Sequence, residues 1–242
     1  MRTRTVTIAA LPAAILAVFA SATPAMAATA GHHRHGVGGS SPAVTGLAAQ
    51  WPMNETSGST MFDTSGNGND GTIVTPDDVM LTGNGYIFDG SGLVTVPDND
   101  TLDPGSSGIT ISAQLSVPSS LGSGDYNFLE KGTATARGGA YKMEINGHVN
   151  NRHFGAPDCA FNGANGTNVR VQSSVKINDD GWHSVSCQLT ANSASITVDG
   201  TTKTVRKSVG SIANSKPVSV GSKPNKTHGY VGSAQNVSIT IG

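Results

Sequence analysis

Ile109-Thr-Ile-Ser-Ala-Gln-Leu-Ser-Val117 alternates without a break, and Ile109, Ile111, Ala113, Leu115 and Val117 fall on one face. A period of two is that of a strand with one buried face. Trp182 to Thr190 alternates in the same way and places His183, Val185, Cys187 and Leu189 together. Ile196-Thr-Val198, Asp199-Gly200 and Thr201-Thr-Lys-Thr-Val205 read as a hairpin with an Asp-Gly turn. Shorter strand-like runs lie at 86–88, 93–96, 127–129, 141–145, 168–172, 218–220 and 236–241. No long segment carries a helical period. Many short strands separated by turns predict an all-β chain, a sandwich or barrel.

Composition agrees. Charged residues are 13% and aromatics 5%, while Gly contributes 31 of the 242 residues. Such a chain is no coiled coil, collagen or many-disulfide mini-protein. A net charge of −1 argues against a nucleic-acid partner held by a basic surface. Residues 1–27 have the parts of a secretory signal: Arg2 and Arg4, an apolar run from Val6 to Ala20, and Ala25-Met26-Ala27 as a cleavage site. Pro12 interrupts that run, and nothing later is apolar enough to span a bilayer. An exported, extracellular, monomeric protein is expected. Residues 28–43 read as a His-, Gly- and Ser-rich linker, and 44–242 as one domain. Cleavage after Ala30 instead would leave Gly31-His32-His33 at the terminus, a pattern that suits Cu(II) or Ni(II); the alternative is an unstructured tail.

Cys159 and Cys187 are the only cysteines. In an oxidising compartment a disulfide is the first reading, with two free thiols the alternative.

Trp51-Pro-Met-Asn-Glu-Thr-Ser-Gly58 followed by Asp63-Thr-Ser-Gly-Asn-Gly-Asn-Asp-Gly-Thr72 resembles the opening of laminin-G-like domains of the concanavalin A-like superfamily. Tyr86-Ile-Phe-Asp-Gly90, Gly108-Ile-Thr-Ile-Ser-Ala113, Asp180-Gly-Trp-His-Ser-Val-Ser-Cys187 and Ile196-Thr-Val-Asp-Gly200 resemble later strands of the same domains, in the same order. The likeness covers about residues 44–242. It implies an antiparallel two-sheet jelly roll and, by analogy of fold, a non-catalytic binding module. The chain departs from the family at residues 232–241, which lack the acidic and aromatic residues often found in the last strand.

Some relatives in this superfamily are glucanases, which carry paired carboxylates in a Glu-x-Asp run. Here the only Glu residues are Glu55, Glu130 and Glu144, and none is followed two positions later by Asp. No G-x-S-x-G and no H-E-x-x-H occurs either. Asp63, Asn67, Asn69 and Asp70, with Asp89 further on, offer oxygens within a Gly-rich curve that would suit calcium; the resemblance supports such an ion, and turn-building is the competing explanation. For a glycan, the loop-placed candidates are Tyr126, Asn127, Asn151, Arg152, Phe154 and Asn162, with Phe161 and Tyr230 beside them. Trp51, Phe88, Phe128, Tyr141 and Trp182 sit in strand patterns and are expected in the core. The expected partner is a glycan or other cell-surface ligand. A protein-interaction module is the alternative, and a diverged hydrolase or lyase would need two carboxylates facing each other on a concave sheet.

Overall fold

A computed structural model describes residues 45–242. The signal segment, the linker and the Gly31-His32-His33 motif lie outside the described residues. The described chain forms two eight-stranded sheets. The first contains β1 (Gly46–Trp51), β4 (Val79–Leu81), β5 (Tyr86–Asp89), β7 (Ile109–Ser116), β12 (Trp182–Leu189), β13 (Ser193–Val198), β14 (Thr201–Arg206) and β16 (Val231–Ile241). Its order is β14-β13-β12-β7-β16-β5-β4, with β1 also paired to β16. The second contains β2 (Thr60–Met61), β3 (Gly71–Ile73), β6 (Val94–Val96), β8 (Gly124–Lys131), β9 (Ala140–Gly147), β10 (Pro157–Asn162), β11 (Asn168–Gln172) and β15 (Val218–Val220). Its order is β11-β10-β9-β8-β15-β6-β3-β2. The pairings are antiparallel, and only two short 3-10 turns, Pro76–Asp78 and Asp100–Leu102, add helical backbone among the described residues.

The alternation read in β7 sets the layer structure. Ile109, Ile111, Ala113 and Leu115 are buried, and each faces a buried residue of β12 or β16 in register, such as Cys187 and Ile239 opposite Ile111. The second sheet supplies Leu129, Met143, Cys159, Phe161 and Val171 to the same core. The Asp199-Gly200 turn joins β13 to β14 with both residues at positive φ, 48° and 81°, the conformation a two-residue hairpin needs and Gly adopts without cost.

Cys159 and Cys187 form a disulfide. Cys159 lies in a strand, β10, rather than in a loop, so the bond ties the two sheets together through the core. Closing a loop across 28 residues of sequence stabilises the fold by about 3–4 kcal/mol on the chain-entropy estimate. A Cys159→Ala/Cys187→Ala variant is therefore expected to lower the urea-unfolding free energy by about that much. A loss under ~1 kcal/mol would show that the unfolded chain gains little freedom from its removal.

The core corrects three aromatic assignments. Trp51, Phe88, Phe128 and Tyr141 are buried as expected, but Trp182 is 47% exposed. It precedes inward His183 in a period-two strand and so points outward. Phe161 and Tyr230, expected on loops, are fully buried. Tyr230 packs edge-on to Phe88 and Phe128, at 6.0 and 5.1 Å between ring centroids, and its hydroxyl lies 2.9 Å from the Ser233 carbonyl.

Candidate functional site

The outward residues of the second sheet line up across its strands. Arg170 of β11 faces Ala160, Ala160 faces Lys142, Lys142 faces Glu130, and Glu130 faces Ser219. A neighbouring row runs Gln172, Asp158, Glu144 and Asn127. Ala140 and Ala160 are small, so longer neighbours leave a trough between them. The result is a cleft of about 320 Å³ lined by Glu130, Lys142, Asn162, Asn168, Arg170 and Lys223. A second hollow of about 260 Å³ adjoins it at Glu130 and continues to Lys216, Pro217, Ser219 and Pro224.

Burial of polar groups is concentrated here. Among the described residues, six buried side-chain N or O atoms have no hydrogen-bond partner, and five belong to this face: both amide atoms of Asn127, Glu130 Oε1, Asp158 Oδ1 and Ser219 Oγ. A buried polar atom left unpaired costs about 1–3 kcal/mol, so such a cluster calls for an explanation. Asn127 is covered by the loop from Gly221 to Tyr230: its N–H donates to the His228 carbonyl at 2.6 Å. Asp125, which approaches His148 at 3.0 Å and His228 at 3.1 Å, pins that loop.

Arg170 closes the floor of the cleft. Its Nη2 donates to Glu144 Oε1 at 2.5 Å and to Asp158 Oδ2 at 2.6 Å, and Lys142 forms an ion pair with Glu144. Two carboxylate oxygens on one nitrogen lie within about 5 Å of each other, the spacing of retaining glycosidases. Neither carboxylate lines the cleft, however. Asp158 is fully buried, Glu144 nearly so, and the guanidinium is bound to both. Burial, reinforced by the charge of Glu144, pushes the Asp158 carboxyl up to about 7. Burial also raises Glu130.

These shifts give stability a definite pH dependence. Asp158 keeps its proton to about 7 when folded and releases it near pH 4 when unfolded. Between those values the folded state binds the extra proton, so stability falls as pH rises. His183 acts in the same sense. Burial lowers its pKa, but bonds to Asp179 at 2.9 Å and Asp199 at 2.6 Å outweigh burial and raise it. That contribution is present below the unfolded His value and is lost as pH rises through the folded one. Asp63, Asp179, Asp180 and Asp199 are held below the ordinary carboxylate range, and their contribution is lost as pH falls. Tm is expected to peak at about pH 4–6 and to decline toward pH 8. Calorimetry across that range tests it, and a Tm higher at pH 8 than at pH 5.5 would contradict these assignments.

The residues expected from sequence to bind a ligand do not converge. Asn162 lines the cleft and Asn127 lies buried under the same face. Asn151, Arg152 and Phe154 sit in the connection after β9, at the end of β9 opposite Asn162's partner Ala140. Seven residues of strand separate the two ends, roughly 23 Å. Asn151 Oδ1 accepts the His153 N–H at 2.9 Å, Arg152 Nε donates to His153 Nε2 at 2.9 Å, and Phe154 packs on the core. Tyr126 belongs to β8, where burial raises its hydroxyl pKa. Glu130, Lys142, Asn168, Arg170 and Lys223 were missed. Their signal is the polar set alternating with Tyr141, Met143 and Ile145, and with Val169 and Val171, once those apolar residues are placed inward.

Asp63, Asn67, Asn69 and Asp70 do come together, in a loop closed by protein donors. The Asp63 carboxylate accepts the N–H groups of Gln50, Ser65 and Asn69, each at 2.9 Å, and the Ser65 hydroxyl at 2.8 Å. Asp70 Oδ1 accepts the Asp63 N–H at 2.7 Å. The Asn67 amide donates to the Leu47 carbonyl at 2.8 Å, and the Asn69 amide to the Ala48 carbonyl at 2.8 Å. Asp89 accepts the Ser91 N–H of its own turn at 2.8 Å, with no bond to that loop. N–H and O–H groups thus occupy the Asp63 carboxylate and Asp70 Oδ1, while Asn69 Oδ1 is buried with no hydrogen-bond partner among the described residues. No group of three or more His, Cys, Asp or Glu among the described residues has metal-holding geometry.

A laminin-G family model, described as concanavalin A-like lectin/glucanases superfamily, matches residues 88–240. The chain belongs to this superfamily. No curated protein sequence matches it closely enough to count as a relative. Among solved structures, the lectin/glucanase fold of this chain is similar to the botulinum neurotoxin serotype D binding domain, at TM-score 0.60 and 13% identity, over 81% of this chain and 48% of that one. A serotype D ligand-binding domain in complex with N-acetylneuraminic acid matches at TM-score 0.59 and 12% identity, over 79% and 46%. The chain thus spans about half the length of these toxin domains. Domain 4 of the extracellular arabinanase AbnA from Geobacillus stearothermophilus, solved with arabinotriose, matches at TM-score 0.57 and 14% identity, over 82% of this chain and 94% of that domain. Among the described residues no helix is long and apolar enough to cross a membrane.

Proposed function

We propose that this chain is an exported, non-catalytic carbohydrate-binding module, and that the cleft over Arg170, Lys142 and Glu130 is its glycan site. The observation that carries this reading is the polar lining of the cleft and its adjoining hollow, where Glu130 and Ser219 each hold a buried oxygen with no hydrogen-bond partner among the described residues. Sugar hydroxyls both donate and accept, and can complete such groups directly or through ordered water. Three acidic and three basic side chains, Glu130, Glu144, Asp158, Lys142, Arg170 and Lys223, nearly balance, which suits a neutral sugar better than a strongly charged one. The structurally similar domains solved with arabinotriose and with N-acetylneuraminic acid support a glycan ligand. The residue 1–27 pattern and the disulfide support export. The Arg170-capped carboxylates support binding without hydrolysis.

The test is calorimetric titration of the purified domain with arabinan, xylan, glucan and galactan oligosaccharides, followed by a reducing-end assay. Saturable binding to one class with no new reducing ends is expected. Absence of binding to every class, or release of reducing ends, overturns the reading.

Calcium is a separate proposal, for the loop and not the cleft. The ion would take the Leu47 and Ala48 carbonyls only if the Asn67 and Asn69 amides, which now donate to them, turned their oxygens inward. Thermal unfolding in calcium and in EDTA tests it: a Tm several degrees higher in calcium supports the ion, and equal values leave the loop to its own bonds.

A further inference from the structure

The first sheet has an outer face of a different character. Trp182 faces Ser116, Ser116 faces Ser233, Ser233 faces Ile87, and Ile87 faces Met80, so one row crosses five strands. Trp182, Ile87 and Met80 are 47%, 40% and 63% exposed. The indole reaches toward β5, where its Cη2 lies 3.5 Å from the place a Cβ would take on Gly85. Gly85 therefore presents bare backbone to the ring. A hollow of about 290 Å³ beside the row is lined by Ile87, Ser116, Pro118, Asp180 and Ser233.

The adjoining rows are neutral. The outward residues of β7 and β12 next to Trp182 are Ser112, Gln114, Ser184 and Ser186. They are held in place: Ser112 and Ser186 hydroxyls lie 3.1 Å apart, and Gln114 Oε1 accepts Gln235 Nε2 at 2.8 Å and Asn236 Nδ2 at 3.0 Å. A second hollow of about 260 Å³ runs over Ser112, Gln114, Ser186, Thr197 and Asn236.

We propose that this face is a second glycan site, a flat platform on which Trp182 stacks against a sugar ring of a neutral, β-linked polysaccharide. Equatorially substituted sugar rings alternate flat C–H faces with hydroxyl rims. The platform alternates in the same way, with apolar Trp182 and Ile87 separated by serines and flanked by amides. The charge it does carry, Asp180 in the lining of the hollow, is negative and repels an anionic polymer. An exposed indole offers a large rigid contact with little conformational entropy to lose. This site is on the opposite sheet from the cleft and needs none of its residues.

The test uses the full mature domain and insoluble microcrystalline cellulose and chitin, with cellohexaose as a soluble probe. The chain has two tryptophans, and Trp51 is fully buried with its indole N–H on the Asn69 carbonyl at 2.7 Å. A change in emission or in acrylamide quenching on adding cellohexaose therefore reports Trp182. Expected are depletion of the protein by one of the solids, a blue shift and reduced quenching with cellohexaose, and at least a tenfold loss of solid binding in Trp182→Ala at unchanged Tm. Depletion by neither solid overturns the platform, as does a Trp182→Ala variant that binds like the parent or a Trp182 that stays fully quenchable. These results do not depend on Arg170, so the platform and the cleft can fail separately.

Discussion

Arg170→Ala is expected to lower the stability of the domain by about 3–5 kcal/mol at pH 8 and by clearly less at pH 5, and to abolish the proposed glycan binding in the cleft. The substitution removes the only cation bonded to Asp158 among the described residues and leaves two carboxylates on neighbouring strands facing each other. A buried charge without a partner costs far more than the pair was worth. At pH 5 Asp158 is already protonated in the folded state, since its pKa lies at about 7. The variant then leaves only Glu144 to be compensated, and Lys142 does so. Urea unfolding at the two pH values measures both numbers. A loss of equal size at pH 5 and pH 8 would show that Asp158 is ionised throughout. Adding Asp158→Asn to Arg170→Ala should restore part of the stability at pH 8 without restoring binding, which separates the electrostatic role of Arg170 from its proposed contact with a glycan.

Lys131→Met should cost about 3 kcal/mol by the same physics at a site away from the cleft. Lys131 neighbours outward Glu130 on β8 but points the other way, and its side chain is fully buried. Its ammonium lies 2.7 Å from Asp98 and 2.9 Å from Asp103, and also donates to the Asn214 carbonyl. It joins β8 to the turn at 100–102 and to the segment that leads into β15. Methionine fills the volume but leaves Asp103, whose carboxyl burial already pushes up, without its cation. Because Asp98 and Asp103 keep 36% and 17% of their side-chain surface, water limits the cost to the lower part of the range for buried pairs. Asp103→Asn in the Met variant should recover part of it. Urea titration of the single and double variants closes the cycle, and a Lys131→Met variant within ~0.5 kcal/mol of the parent would mean the pair is effectively solvated.

The two sites differ in how far the sequence disclosed them. The outward placement of Trp182 follows from the alternation that puts His183, Val185, Cys187 and Leu189 together, yet the size and apolarity of Trp suggested the core. Where periodicity and hydrophobicity disagree, the backbone period decides, because a strand cannot turn one side chain to the other face without shifting its whole register. The cleft gave a weaker signal. Asn150 to Phe154 looks like a binding run because polar and aromatic residues adjoin in sequence, but those groups bond to one another. The polar residues that do gather on one face, Glu130, Lys142, Asp158, Arg170 and Ser219, come from five strands.

The all-β class and the central alternating strands, β7, β12 and the β13–β14 hairpin, were determined by the sequence alone, since each rests on local period; the disulfide and the strand β10 that holds Cys159 needed the structure. The tertiary structure decided which outward residues meet. Sheet order places β15 between β8 and β6, so Ser219 pairs with both Glu130 and Thr95. Such neighbours are set by how two whole sheets bury their apolar faces against each other, a many-strand optimum that no single segment encodes. The 63–70 loop shows the same division. Its Asp, Asn and Gly content announced a tight, oxygen-rich turn, but the donors of Gln50 and the carbonyls of Leu47 and Ala48, brought up by β1, decided which bonds those oxygens and amides make.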